Sequence, residues 1–192
     1  MKRRTLLSRA AALAALACWP MAPALAHTPY RQWDIFRRRY LQILTSRSDL
    51  DGDAVGDAWV ETLLERLPLS RAMISRARDT QRVASLLKTN QAKLAVLSHA
   101  DAKAMTDASG PFAEYVPMPL QLLVDDGRYL LVARENLPLH HAYAVTAALI
   151  EAAGTLRLSV PLEGRYGLPV HAGARAAALG EGIDVPAPAD GA

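Results

Sequence analysis

Six polar residues fall where a sheet edge could bind a ligand: Thr45, Ser46 and Arg47 after one apolar run, Ser75 and Arg76 after a second, and Ser98 after a third. Hydroxyls, a guanidinium and the free backbone amides of following helices are the groups that hold a carboxylate or another small anion. Arg47 or Arg76 would carry the charge, so the six together form the expected ligand edge. Ordinary polar loops have the same composition, and spacing alone does not separate the two.

Other constellations fit their chemistry less well. Asp49, Asp51, Asp53 and Asp57 take the first, third, fifth and ninth positions of a calcium loop, but Ala54 stands where the turn requires Gly and Val60 where a bidentate Glu is required. An acidic helix start, favoured by the helix dipole, accounts for the cluster better. His140 and His141 are adjacent, so on a helix they point about 100° apart and do not share an ion. His27 would become the amino terminus after signal cleavage, a weak copper-chelating pattern; His99 and His171 are isolated, with surface or packing roles expected. There is no Gly-x-Ser-x-Gly turn and no glycine-rich phosphate loop. Arg37-Arg38-Arg39 reads as a solvated face and not as a nucleic-acid contact. The expectation is therefore a non-catalytic protein with no metal and no cofactor.

The elements that must position the six residues follow from periodicity. Leu41 to Thr45 reads as a strand. A helix capped by Asp51 or Asp53 runs to about Leu67, with Val55, Trp59, Leu63, Leu64 and Leu67 on its apolar face, and Pro68 ends it. Ala72 to Ser75 is a second strand. Asp79 caps a helix with Val83, Leu86 and Leu87 inward, closed by Lys88-Thr89-Asn90. Leu94 to Leu97 is a third strand, followed by a short helix capped by Asp101 and reaching Met105. This alternation is the signature of parallel βαβ units, which bring the carboxyl ends of the strands to one edge, where open α/β sheets bind ligands. Gln121 to Val124 and Tyr129 to Val132 flank Asp126-Gly127, a hairpin signal. A further helix is expected over 136–150, with Pro138 near its start.

The chain has 192 residues with a formal net charge of +3, made of 22 Lys+Arg and 19 Asp+Glu. Residues 1–26 hold Lys2, Arg3, Arg4 and Arg9 and no acid, so the rest carries a net charge of −1. That start has a basic head, an apolar run from Ala10 to Trp19 and the small-residue site Ala24-Leu25-Ala26, the pattern of a secretory signal cut before His27. Arg3-Arg4-Thr5-Leu6-Leu7 resembles a twin-arginine signal, leaving general and twin-arginine export as alternatives. The apolar run is shorter than the ~20 residues a membrane span needs, so no transmembrane segment is expected in the mature chain. Cys18, the only cysteine, would leave with the signal, and with it thiolate and disulfide chemistry. A single α/β domain is expected over 27–185 and a disordered tail over 186–192.

Several phrases resemble the periplasmic solute-binding proteins known as TAXI-type receptors of TRAP transporters. Arg82-Val83-Ala84-Ser85-Leu86-Leu87-Lys88-Thr89-Asn90 running into Leu94-Ala95-Val96-Leu97 is similar to their helix, turn and strand ending at the ligand. Pro119-Leu120-Gln121-Leu122-Leu123 followed by Tyr129-Leu130-Leu131-Val132 resembles their passage toward the hinge. Leu131 to Pro138 and Leu168-Pro169-Val170-His171-Ala172-Gly173-Ala174 resemble their closing region, with Ala172 where the family has Pro. The resemblance covers most of residues 41–175. It implies an exported, periplasmic protein with a mainly parallel sheet flanked by helices, a small anionic solute, and a membrane permease or another envelope protein as partner. Such receptors have two lobes, the second inserted before the closing helix. Here Tyr129-Leu130-Leu131-Val132 runs almost directly into that helix, so one lobe is expected without its mate. A lone lobe offers half the contact that a closed cleft gives a ligand. The expectation is a non-catalytic solute-binding-like protein or transporter accessory; the alternative is an envelope interaction module that keeps the fold without a small ligand.

Overall fold

The strand stretches Ile43-Leu44, Leu94-Ala95-Val96-Leu97, Leu122-Leu123-Val124 and Leu130-Leu131-Val132-Ala133 are apolar on both faces, as strands covered on both sides must be. In the computed structural model, which describes residues 40–184, the strands are β1 (Gln42–Ser46), β2 (Met73–Ala77), β3 (Leu94–Ser98), β4 (Leu120–Asp125) and β5 (Tyr129–Arg134). They form one mixed sheet in the order β2-β1-β3-β5-β4. β1 pairs in parallel with β2 and β3, while β5 runs antiparallel to both β3 and β4. The carboxyl ends of β1 to β4 and the start of β5 therefore share one edge. Residues 1–26, read above as a signal pattern, His27, Arg37 to Arg39 and the tail from Pro186 lie outside the described residues.

Alternation along the strands divides the core in two. Ile43, Leu94, Val96, Leu131 and Ala133 face one side, under α1 (Leu50–Arg66), α4 (Leu139–Ile150) and α6 (Ala172–Leu179). Leu44, Ala95, Leu97, Leu130 and Val132 face the other, under α2 (Thr80–Lys88) and α3 (His99–Asp107). A bulge between Leu122 and Val124 resets the alternation in β4, so that Leu123 and Val124 both join the first side. A short helix, α5 (Ala153–Leu156), links α4 to the segment returning along β4.

The α/β class, the hairpin at Asp126-Gly127 and the Asp79 cap of α2 agree with the sequence reading. Four details differ. Asp49, and not Asp51 or Asp53, caps α1, accepting from Gly52 N–H at 3.1 Å. Ser98, and not Asp101, caps α3, because its hydroxyl already stands at the strand end when the helix starts. The buried face of α1 is Gly52, Gly56, Trp59, Val60 and Leu63, with Leu64 exposed. Gly56 decides that rotation: a Cβ there would lie 2.6 Å from Thr45 Cγ2, so the helix rests directly on β1. α4 begins at Leu139, after Pro138 at its cap position, and not at 136, since proline fits only the start of a helix. Among the described residues no helix is long and apolar enough to cross a membrane.

Candidate functional site

The six predicted residues do come to one edge of the sheet, but most of them spend their polar groups on the fold. Thr45 and Arg76 are in register on β1 and β2, on the side that α1 covers. Asp53 and Asp57 are four apart on α1 and so share the face turned toward them. Thr45 Oγ1 donates to Asp53 Oδ1 at 2.6 Å, Arg76 Nε donates to Asp53 Oδ2 at 2.8 Å, and Arg76 Nη2 donates to Asp57 Oδ2 at 2.6 Å. Burial pushes the Asp53 carboxyl up, but the bonds from Thr45 and Arg76 and the charges of Arg76 and Arg47 outweigh it, so its pKa lies below the usual carboxylate value. The bond to Asp53 in turn raises that of Arg76. Arg76 is thus a strut between strand and helix.

Ser46 is buried and shares a hydrogen bond with the Ser48 hydroxyl at 2.8 Å. Ser98 Oγ accepts from Asp101 N–H at 3.1 Å and donates to Asp101 Oδ2 at 3.0 Å, which closes the first turn of α3. Ser75 is half-buried in the outermost strand. Arg47 is the exception. Its backbone N–H donates to Ala77 O at 2.9 Å, and its exposed guanidinium has no polar partner among the described residues.

A second cluster on the same edge escaped the sequence reading. Asp125, at the end of β4, is fully buried. Its Oδ1 accepts from Gly127 N–H at 2.7 Å and from His99 Nε2 at 3.1 Å; its Oδ2 accepts from Arg165 Nη1 at 2.8 Å. A carboxylate only accepts, so the proton of this contact sits on His99 Nε2. Burial would raise the Asp125 pKa, yet the bonds from Gly127, Arg165 and His99 together hold it below the usual value. The His99 ring stacks on Tyr166 with centroids 4.2 Å apart, and Tyr166 adopts φ 56°, a region uncommon for an aromatic residue. The segment carrying Arg165 and Tyr166 is tied to β4 by paired backbone bonds between Ser159 and Asp125 of 2.8 and 2.9 Å. Beside this cluster Tyr129 donates from its hydroxyl to Asp49 Oδ1 at 2.7 Å, and Arg128 Nη2 donates to Asp51 Oδ2 at 2.8 Å. Burial and the Asp49 carboxylate push the Tyr129 phenol up to about 12.

Ser98-His99 and Asp125 were each visible at a strand end, but their meeting with Arg165 joins segments far apart in the chain, which no local spacing encodes. Chemically, the cluster fixes a buried negative charge and clamps the return segment over the end of β4. His99 makes no hydrogen bond to a hydroxyl among the described residues, the arrangement a nucleophile would need. His171 is also structural: Nδ1 accepts from Gly173 N–H at 3.0 Å and Nε2 donates to Leu137 O at 3.1 Å. Burial lowers its pKa, partly countered by the Leu137 carbonyl, so the ring is neutral. Asp51, Asp53 and Asp57 lie on a helix and not in a metal-binding loop, and no group of acidic or imidazole side chains among the described residues is arranged to hold a metal. No known family model matches the chain, and no curated protein is significantly similar to it.

Proposed function

We propose that this chain is an exported, non-catalytic binding component of the cell envelope, built as one lobe of a solute-receptor-like fold, whose carboxyl edge meets another protein. One observation carries the reading: apart from Arg47, the arginines of that edge named above are already matched. Arg76 is held by Asp53 and Asp57, Arg165 by Asp125 and Arg128 by Asp51. A small anion would meet the Arg47 guanidinium alone and would have to break one of these pairs to gain a second. A protein surface has no such need, because it can bury the edge and leave the pairs in place at its rim. The hairpin between Asp125 and Tyr129 supports the same reading, since it leads β4 straight back into β5 and leaves the edge open. A membrane permease or another envelope protein is the partner this predicts.

A photo-crosslinking residue placed at Arg47 and, as a control, at the exposed Leu69 tests the reading in cells. Adducts with an envelope protein from position 47 alone are expected. Equal labelling from both positions would overturn the proposal. A second reading, weak binding of a small carboxylate on the open edge, draws on Arg47, whose unmatched guanidinium follows the Ser46 hydroxyl in the chain.

A further inference from the structure

The two outer strands of the sheet are finished differently. β4 is sealed along its free side: Leu122 N–H donates to Pro169 O at 2.8 Å, His171 N–H to Leu122 O at 3.0 Å, and Ser159 pairs with Asp125. β2 has no strand on its outer side among the described residues. Met73 N–H donates inward to Leu41 O and Ala77 O accepts inward from Arg47 N–H, both at 2.9 Å. In a parallel ladder successive residues alternate in direction, so the N–H and C=O of Ile74 and Arg76 point outward. At the carboxyl end of this edge lies a groove of about 400 Å³ lined by Arg76, Ala77, Arg78, Arg82 and Leu86. Among the described residues Arg82 is exposed with no partner for its guanidinium, and Arg78, its side chain 84% exposed, has Asp79 as its only ion pair.

We infer that β2 is a docking edge for an extended acidic segment of a partner protein, which would add as a further strand and set carboxylates against Arg78 and Arg82. Strand addition draws its affinity from main-chain hydrogen bonds and its selectivity from alternate side chains, and both halves of that requirement are present here. Charge selects the occupant. A second copy pairing β2 with β2 in the antiparallel sense would set Arg76 of one copy opposite Ile74 of the other and offer no carboxylate to Arg78 or Arg82, whereas an acidic segment answers both. The chain's own segment before β1, with Arg31, Arg37, Arg38 and Arg39 against Asp34, carries the same unfavourable sign. This inference rests on the reading of the chain as a protein-binding component and names the chemistry of one partner.

The test uses the full chain and a fluorescein-labelled hexapeptide of alternating Glu and Val, followed by fluorescence anisotropy. Saturable binding is expected, weakened about tenfold or more by Arg82→Glu and by raising the salt from about 50 to 200 mM. The same peptide N-methylated at alternate amides should not bind. Amide exchange followed by NMR adds the site: Ile74 and Arg76 should exchange fast in the free chain and slow with peptide. Equal binding of the N-methylated peptide, or unchanged exchange at Ile74 and Arg76, would overturn the inference. Slow exchange at those amides without peptide would mean that the edge is already filled by this chain or a second copy, and would overturn it as well. None of these results touches the crosslinking from position 47, so failure of the docking edge is distinguishable from failure of the wider reading.

Discussion

Asp125 is the residue on which the edge turns, because a buried carboxylate persists only when its acceptors are filled. Replacing it by Asn keeps the size but removes the charge that Arg165 and His99 answer; a loss of about 2 kcal/mol in urea unfolding is expected. The pH dependence has a definite sign. The folded carboxyl titrates below its unfolded value, so its contribution is complete above about pH 4 and fades as the pH falls through the lowered value. Asp125→Asn should therefore flatten the acid limb of the stability curve. At the other extreme Tyr129, raised to about 12, stays protonated while unfolded tyrosine would ionise, so its contribution is lost as the pH climbs from about 10. A 295 nm titration should show one late phenol, moved to lower pH by Asp49→Asn. His171 adds a third, acid-side dependence. Its folded pKa is lowered, so its contribution is present above about pH 6.5 and declines below it. At this scale the sequence was legible only in part. Ser98 was correctly placed at a strand end, while Arg76, expected just after its strand, lies within β2; the partners of both were invisible, since Asp53 and Asp57 meet Arg76 only when α1 is laid across β2.

Elements were more legible than contacts, because hydrophobic alternation and helix caps are local and ladder partners are not. The order of strand and helix from Leu41 to Ile150 follows from periodicity and from Pro68, Asp79 and the Asp126-Gly127 turn. The structured return from Ser159 to His171 was not anticipated, since its single bridges to β4 leave no strand-like run in the sequence. How closely α6 approaches α4 was equally hidden. Gly173 permits it: a Cβ there would stand 2.3 Å from Leu139 O and 2.8 Å from Tyr143 N, both backbone atoms that cannot swing aside. Helix propensity favours Gly→Ala by about 1 kcal/mol. The steric cost of forcing two helices apart is larger, so Gly173→Ala should destabilise by about 1–2 kcal/mol net in urea unfolding.

At the scale of the described residues, the sheet order and the short hairpin after β4 give a five-stranded α/β unit whose strand ends share one edge. What the sequence did not convey is that the arginines of the edge other than Arg47 are paired, because pairing is a property of the assembled surface and not of composition. The central claim is that this edge contacts protein and does not capture a small anion, and thermal unfolding of the full chain with succinate, acetate and phosphate tests it most directly. A specific ligand at a hundredfold its dissociation constant stabilises by about 2.7 kcal/mol, which for a domain of this size raises Tm by several degrees. The account predicts a change of less than about 1 °C for each anion at millimolar concentration. A saturable rise of several degrees that disappears in Arg47→Ala would contradict it.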